Sequence, residues 1–266
     1  VVKLGGSVLD DAALRKELLI DVAFMSTVGI QPVIVHGGGK TITKAMNEAG
    51  IEPVWVQGLR YTDERTLTIA EHTLVHKVNT PICETLTELG CQSTGMHSLG
   101  SCVLFAEQMR LAGEDGRKLD IGLVGKVAEV NGHLLKTLCE SGTIPVIAPL
   151  AQDKAGGKLN VNADSAAGEV AAAVQAEKLV MVSDTHGILK DINDADSRFS
   201  TLDEAQIKKM IDAGIITEAM FPKVEACLKA LDAGVKKSHI IDGRIEHSLL
   251  LEIYTDEGIG TQIVKK

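Results

Sequence analysis

Short β-branched runs that end in glycine alternate with amphipathic stretches along almost the whole chain, and that alternation carries the first structural information. Val1-Val2-Lys3-Leu4 and Pro32-Val33-Ile34-Val35-His36 read as buried parallel strands. Between them Leu14, Leu18, Val22 and Met25 recur at helical spacing and form one apolar stripe. This is a βαβ opening. The same reading predicts helices at about 40–49, at 63–90 with an interruption near Pro81, and at 131–141, 164–175, 203–213 and 220–233. Further strands are predicted at 102–106, 144–148, 178–183 and 238–241. Strand and helix alternating from end to end imply an α/β fold, with a mostly parallel sheet covered on both faces and joined by right-handed crossovers. Residues 111–133 depart from the pattern. There Gly and Asp at turn spacing around short alternating runs predict a hairpin inserted at the sheet's edge. A Gly-rich break, Asp153-Lys154-Ala155-Gly156-Gly157-Lys158, lies near a change from a first lobe to a second.

Composition narrows the class. A chain of 266 residues, 45% apolar and 24% charged, is globular in composition, and this length is at the upper limit for a single core, so two lobes fit best. The balance of 27 Lys and Arg against 36 Asp and Glu gives a net charge of −9 and leaves no basic stripe for a duplex. One Trp, two Tyr and four Phe offer little on which to stack bases. No apolar run reaches the roughly 18 residues that span a bilayer, and the start lacks the core of a signal peptide. These features predict a soluble, cytoplasmic enzyme with small-molecule substrates and with neither nucleic acid nor membrane as partner. Cys83, Cys91, Cys102, Cys139 and Cys227 are odd in number and form no CxxC pair, so they read as small apolar residues rather than disulfides or metal ligands.

Ligands of doubly wound sheets sit at the carboxyl ends of the strands, and six segments at strand ends or helix starts carry candidate chemistry. Lys3-Leu4-Gly5-Gly6 closes the first strand, and His36-Gly37-Gly38-Gly39 closes the next, immediately before a helix. Glycines there let the backbone approach an anion and aim N–H groups at it. Gly39-Lys40-Thr41 imitates the end of a P-loop, but Ile34 stands where that pattern needs glycine, and no G-x-G-x-x-G follows either strand. Arg60, in Gly58-Leu59-Arg60, offers a planar fork for a carboxylate, its alternative being solvated surface. Asn160-Val161-Asn162-Ala163-Asp164 opens an Ala-rich helix, where Asp164 taken in isolation reads as an N-cap rather than a ligand. Ser183-Asp184 ends an apolar strand. Lys223, in Phe221-Pro222-Lys223-Val224, sits at a helix head, where a cation is electrostatically disfavoured and a functional reason gains weight. Two lysines, two Gly-rich cradles, an Arg and an Asp are the parts of a phosphoryl-transfer site that works by fixed charge. His72 and His76 lie four apart without an HExxH pattern and read as structural.

These segments, in this order and over practically all 266 residues, resemble the amino acid kinase family, and within it the branch that acts on N-acetyl-L-glutamate. The resemblance implies a three-layer α/β/α sandwich of the carbamate kinase-like fold. Residues 1–174 would form an N-terminal lobe for the acyl amino acid and the dimer contact, and 175–266 a C-terminal lobe for ATP. It implies ATP-dependent phosphorylation of the substrate's side-chain carboxylate in arginine biosynthesis. The competing readings are a kinase for another acidic amino acid derivative, of aminoadipate type, and a non-catalytic module that senses arginine or nucleotide. Carried over by position, Lys3 and Lys223 would neutralise the transferring phosphoryl group, with Asp164 between them holding both ammonium groups. The N–H groups of Gly5, Gly6, Gly38 and Gly39 would take phosphoryl and substrate oxygens, Arg60 the α-carboxylate, and Asn160 the substrate backbone. Ser183, Asp184, Ile215, Ile216 and Thr217 match the nucleotide pocket, with Mg²⁺ bridging the ATP phosphates rather than sitting in a protein metal site. Thr185-His186 and Phe221 depart from the commonest pattern there. His239, Glu252 and Gly258 match effector positions of an arginine-inhibited branch, the competing reading being a solvated helix end and turn. The expected assembly is a homodimer. In the arginine-inhibited branch an N-terminal helix links dimers into a hexamer; this sequence starts on the first strand without a Met, and such a helix would precede Val1. The chemistry is consistent with the assignment, since a carboxylate nucleophile is ionised at neutral pH and needs no general base.

Overall fold

The computed structural model describes residues 1–265 except 114–115, 192, 218–219 and 256–257. Strand β1 (Val2–Leu4) leads through a single turn, α1 (Gly6–Leu9), into α2 (Ala12–Thr27), capped by the Asp11 side chain, which accepts from the N–H groups of Ala13 and Leu14. Next come β2 (Ile34–His36), α3 (Gly39–Glu48), a small hairpin of β3 (Trp55–Val56) and β4 (Leu59–Arg60), α4 (Glu64–His72), α5 (Thr80–Glu88) and β5 (Gln92–Met96). They are followed by β6 (Leu104–Ala112), β7 (Lys118–Val130), α6 (Gly132–Glu140), β8 (Thr143–Ile147), β9 (Leu150–Gln152), β10 (Lys158–Val161) and α7 (Ala163–Val174). The chain ends with β11 (Lys178–Ser183), β12 (Thr201–Asp203), α8 (Glu204–Asp212), α9 (Phe221–Asp232), β13 (Lys237–Asp242), α10 (Ser248–Tyr254) and β14 (Thr261–Val264).

Several helices start where a side chain satisfies a first N–H group: Asp63 caps α4, Asn131 caps α6, and Asp203 closes a capping box with Gln206 on α8. The interruption expected near Pro81 takes another form. α4 runs through a π-helical stretch, Thr73–Asn79, directly into α5. Pro81 lies in the first turn of α5, directly after the π-helical stretch, and the helical path continues through it.

Eight strands form the central sheet in the order β12-β14-β13-β11-β1-β2-β8-β5, and every neighbouring pair is parallel except β13 with β14. β1 lies in the middle, with Lys3 opposite Val35 of β2 on one side and Met181 of β11 on the other. The chain order reverses there, so the crevice at the carboxyl ends of β1, β2 and β11 is the topological switch point. Leu19, Val22, Ile82, Leu86 and Leu249 fill one face of the sheet, and Leu135, Val170, Ala171, Val224 and Ala230 the other. These are the three layers of an α/β/α sandwich.

One expectation is corrected. β6 and β7 do pair as an antiparallel hairpin, whose tip includes 114–115 and so lies partly outside the described residues, but the hairpin does not extend the main sheet. With β9 and β10 it closes into a separate four-stranded barrel, β10-β7-β6-β9, to which the strand predicted at 102–106 also belongs. Register shifts at Phe105/Ala106 and Gln108/Arg110 bend the pair. Inside, Gly125 leaves room that a Cβ would take up, 2.9 Å from the Cβ atoms of both Ala106 and Leu159. Among the described residues no helix is long and apolar enough to cross a membrane.

Candidate active site

β1 and β2 end side by side, and each runs into a glycine loop. The Gly5 N–H donates to the Val182 carbonyl at 2.9 Å and the Gly37 N–H to the Leu4 carbonyl at 2.9 Å. The expectation that the Gly5 N–H faces a phosphoryl group is therefore corrected: the sheet already uses it, and Gly5 is needed because a Cβ would stand 2.8 Å from the Val182 oxygen. The N–H groups of Gly6, Gly38 and Gly39 have no partner among the described residues. A Cβ on Gly6 would lie 3.5 Å from both the Gly38 and the Gly39 nitrogen, so these amides cluster at the head of α3, where partial positive charge adds to them. His36 braces this loop from below. Its Nε2 accepts from Asn79 Nδ2 at 3.0 Å, which leaves the ring proton on Nδ1 to be donated to the Gly37 carbonyl at 2.8 Å. Burial pushes the imidazole pKa down to about 4, so the ring is neutral.

Three charges converge above the loops. Lys3 Nζ lies 2.7 Å from Asp164 Oδ1, and Lys223 Nζ, from the first turn of α9, lies 3.3 Å from Asp164 Oδ2. Asp164 is not the N-cap of α7: Asn162 is, accepting from the Ser165 N–H at 3.0 Å, which leaves the Asp164 carboxylate for the two lysines. Burial alone would push this carboxyl up, but the ammonium groups of Lys3 and Lys223 outweigh it and hold the pKa below the usual carboxylate range. The trio carries one net positive charge.

Arg60 arrives from the β3–β4 hairpin, whose two turn residues, Gln57 at φ 47° and Gly58 at φ 77°, take the left-handed conformations that such a tight turn needs. The side chain is buried rather than solvated. Its Nη2 donates to the Gly39 carbonyl at 2.9 Å and to Thr43 Oγ1 at 2.8 Å, and its Nη1 to Met46 Sδ at 3.2 Å. Among the described residues no carboxylate pairs with it, and burial lowers its pKa. Asn160 Nδ2 donates to Thr62 Oγ1 at 3.2 Å, and that hydroxyl donates to the Arg60 carbonyl at 2.9 Å. Lys3, Gly6, Gly38, Gly39, Arg60, Asn160, Asp164 and Lys223 thus share one cleft of about 390 Å³. Trp55 lines it too, although nothing in the sequence singled it out for the site; the signal is its position across a tight turn from Arg60.

The remaining candidates lie elsewhere. Ser183 and Asp184 end β11 beside Asp242 of β13, outside the lining of this cleft. Asp242 is fully buried and gripped by Arg244, with Nη2 2.7 Å from Oδ2 and Nε 2.9 Å from Oδ1, while His186 Nδ1 approaches at 3.0 Å. This Asp242–Arg244 pair was not anticipated from sequence. Ile215 and Ile216 pack into or against the core, and the Thr217 carbonyl accepts from the N–H groups of Met220 and Phe221, at the entry to the helix that carries Lys223. His239, Glu252 and Gly258 come together at the amino ends of β11 and β13, in a separate cavity of about 530 Å³. Glu252 Oε1 is 2.6 Å from His239 Nδ1, and its Oε2 accepts from the N–H groups of Ile259 and Gly260 at 2.7 and 2.9 Å. Burial would raise the Glu252 pKa, but these partners outweigh it and lower it. His239 Nε2 is buried and has no hydrogen-bond partner among the described residues.

The description "Amino acid kinase family" belongs to the family whose model matches residues 1–242. An acetylglutamate kinase of Caldanaerobacter subterraneus subsp. tengcongensis is 46% identical over 266 residues, all of this chain and 87% of its own length. One from Synechocystis is 42% identical over 264 residues, 99% of this chain and 86% of its own, and one from Methanococcus vannielii 43% over 268, 100% and 91%. Among solved structures, N-acetylglutamate synthase from Neisseria gonorrhoeae, complexed with coenzyme A and N-acetyl-glutamate, superposes with a TM-score of 0.86 at 25% identity; this chain matches along its full length and spans 59% of that protein. Carbamate kinase from Giardia lamblia bound to AMP-PNP shares the fold, with a TM-score of 0.70 at 14% identity over 100% of this chain and 98% of its own. A sheet with this switch point, glycine loops on its central strands and a full-length match to such relatives lead to one assignment: the chain belongs to the amino acid kinase family.

Proposed function

We propose that the protein transfers the γ-phosphoryl group of ATP to the side-chain carboxylate of N-acetyl-L-glutamate, forming N-acetyl-L-glutamyl 5-phosphate in arginine biosynthesis. The observation that carries this reading is the cleft in which Lys3, Asp164 and Lys223 make a positive, largely buried trio beside an Arg60 that pairs with no carboxylate among the described residues. Relatives 42–46% identical named acetylglutamate kinases support it, and two lysines bonded to Asp164 argue against a non-catalytic module. Arg60 takes the α-carboxylate through its unused N–H groups and Asn160 the acyl amide, so the side-chain carboxylate faces the trio. A carboxylate oxygen attacks the γ-phosphorus, and a C–O–P link forms as the bond to the β,γ-bridging oxygen breaks and ADP leaves. No proton moves. Lys3 and Lys223 neutralise the charge gathering on the equatorial oxygens, helped by the amides of Gly6, Gly38 and Gly39, and Asp164 keeps both ammonium groups in place.

ATP lies in the second lobe, 175–266, against Ser183, Asp184 and the segment 215–217, while 1–174 bind the acyl amino acid and form the homodimer contact. The donors of the cleft are ammonium and amide groups, which suit phosphate oxygens, so Mg²⁺ would enter with the nucleotide and would supply charge neutralisation on its phosphates. Arginine inhibits at His239, Glu252 and Gly258. His239 and Glu252, 2.6 Å apart, both line that cavity, and a carboxylate there suits a guanidinium.

Purified protein with ATP, Mg²⁺ and N-acetyl-L-glutamate should yield an acyl phosphate that hydroxylamine traps; none would overturn the activity. N-acetyl-L-aspartate, N-acetyl-L-aminoadipate and free glutamate should show lower kcat/KM, and a better aminoadipate substrate would replace the assignment. A flat response to arginine would remove the effector reading.

A further inference from the structure

Trp55 is the one tryptophan of the chain, and 55% of it is exposed, although a ring of this size usually gains most from burial. Its place is set by the hairpin. Trp55 is the cross-strand partner of Arg60, and residues directly opposite on an antiparallel pair project to the same face. The Arg60 guanidinium carbon lies 4.5 Å from the indole centroid, inside the range in which the ring quadrupole attracts a cation.

The rest of the guanidinium is held from its edge, by the Gly39 carbonyl, Thr43 Oγ1 and Met46 Sδ. Three of its five N–H groups are so engaged, which leaves two outside those contacts. A buried arginine without a counter-ion is costly, because the charge loses water and gains nothing equivalent in exchange. A carboxylate beside it would remove that cost, but would also occupy the donors that a substrate carboxylate needs. An aromatic face avoids the conflict: it attracts the positive charge through the plane of the guanidinium and leaves every N–H free to point along that plane.

We propose that Trp55 is a positioning residue for substrate binding, its indole steadying the Arg60 guanidinium so that an N–H group left free by Gly39, Thr43 and Met46 meets the α-carboxylate of the acyl amino acid. The proposal rests on the reading of Arg60 as the α-carboxylate site. It makes affinity for the acyl amino acid, but not for ATP, depend on an aromatic ring at this position.

The test uses the full chain and its Trp55→Ala and Trp55→Phe variants, with acyl-phosphate trapping, thermal melting and tryptophan emission. Trp55→Ala should raise the KM for N-acetyl-L-glutamate roughly tenfold, the equivalent of about 1.4 kcal/mol, with kcat changed less than about threefold and the KM for ATP unaltered. Trp55→Phe should recover most of the loss, since any aromatic face supplies the quadrupole. In the unsubstituted protein, emission from the lone tryptophan should change saturably with N-acetyl-L-glutamate and stay flat with the analogue whose α-carboxylate is an amide. An unchanged KM in a folded Trp55→Ala protein, no recovery by Phe, or an equal response to the α-amide would each overturn the proposal. If Trp55→Ala does not fold, the Phe variant and the emission titrations decide. Failure of the parent reading looks different: the unsubstituted protein would make no acyl phosphate from N-acetyl-L-glutamate, while carboxylate-dependent emission would still support Trp55.

Discussion

Replacing Lys223 by Met removes one charge from the cleft and keeps an unbranched chain of similar reach. At an effective dielectric constant of about 20, a unit pair at the 3.3 Å of the Lys223–Asp164 contact is worth roughly 5 kcal/mol before desolvation, and at the 2.7 Å of Lys3–Asp164 roughly 6 kcal/mol. The Lys3 side chain is 6% exposed and that of Lys223 19%, so Asp164 keeps the shorter and drier of its two partners. The expected stability loss is therefore small, about 1 kcal/mol, because the remaining carboxylate is still paired. The catalytic loss is expected to be much larger. A positioned cation that meets charge only as it develops contributes on the order of 3–4 kcal/mol, or 10²–10³ in kcat. KM for either substrate should change less than about threefold, since ground-state binding leans on Arg60 and the nucleotide lobe. Steady-state trapping of the acyl phosphate at saturating substrates, with thermal melts run alongside, measures both. A kcat within threefold of the parent, or a loss confined to KM, would refute the assigned role. Lys3→Met is the control: it strips Asp164 of its best partner and should lower Tm and kcat together.

Other outcomes follow from the same geometry. Arg60→Lys keeps the charge but loses the fork held by Gly39, Thr43 and Met46, so KM for the acyl amino acid should rise by about 30-fold or more with KM for ATP unmoved; a change in ATP affinity alone would contradict it. Gly5→Ala should lower Tm, its Cβ falling 2.8 Å from a backbone oxygen, whereas Gly39→Ala, with nothing within 4 Å, should leave Tm unchanged and lower activity; the reverse order would undo the account of the loops. His36 has a folded pKa of about 4, below the ordinary 6.5. Stability from its neutral form is thus complete above about pH 6.5 and is lost as pH falls toward 4, by about 3 kcal/mol. Urea unfolding of the parent and His36→Gln from pH 7.5 to 4 should show a shallower dependence in the variant, and parallel curves would refute it.

The parts legible in the sequence share a physical character. β1, β2 and β11 are runs with nearly every residue buried, and α2, α3 and α6–α9 repeat apolar residues at the helical period, α2 and α6–α8 behind a side-chain cap. Such signals are complete within a few residues. β5, with the sequence Gln-Ser-Thr-Gly-Met and a half-exposed edge position, carries no such signal, and the barrel reads in sequence as an edge hairpin because strand pairing across 104–161 is not written in any one strand. In the site, glycine loops and charged residues at strand ends stood out, since their chemistry is local. Trp55 did not, because its meaning comes from the residue across the hairpin.

By itself, then, the order of amino acids determined the elements, the two glycine loops that need close backbone approach, and the candidate charges. Only the folded chain decided that Asn162 caps α7 and leaves Asp164 to two lysines distant in sequence, that the Gly5 amide belongs to the sheet, and that Arg60 is buried over an indole. The reason is physical. Helical period, turn conformation and capping are properties of neighbours along the chain, whereas desolvation and charge pairing depend on what the fold brings within a few ångströms.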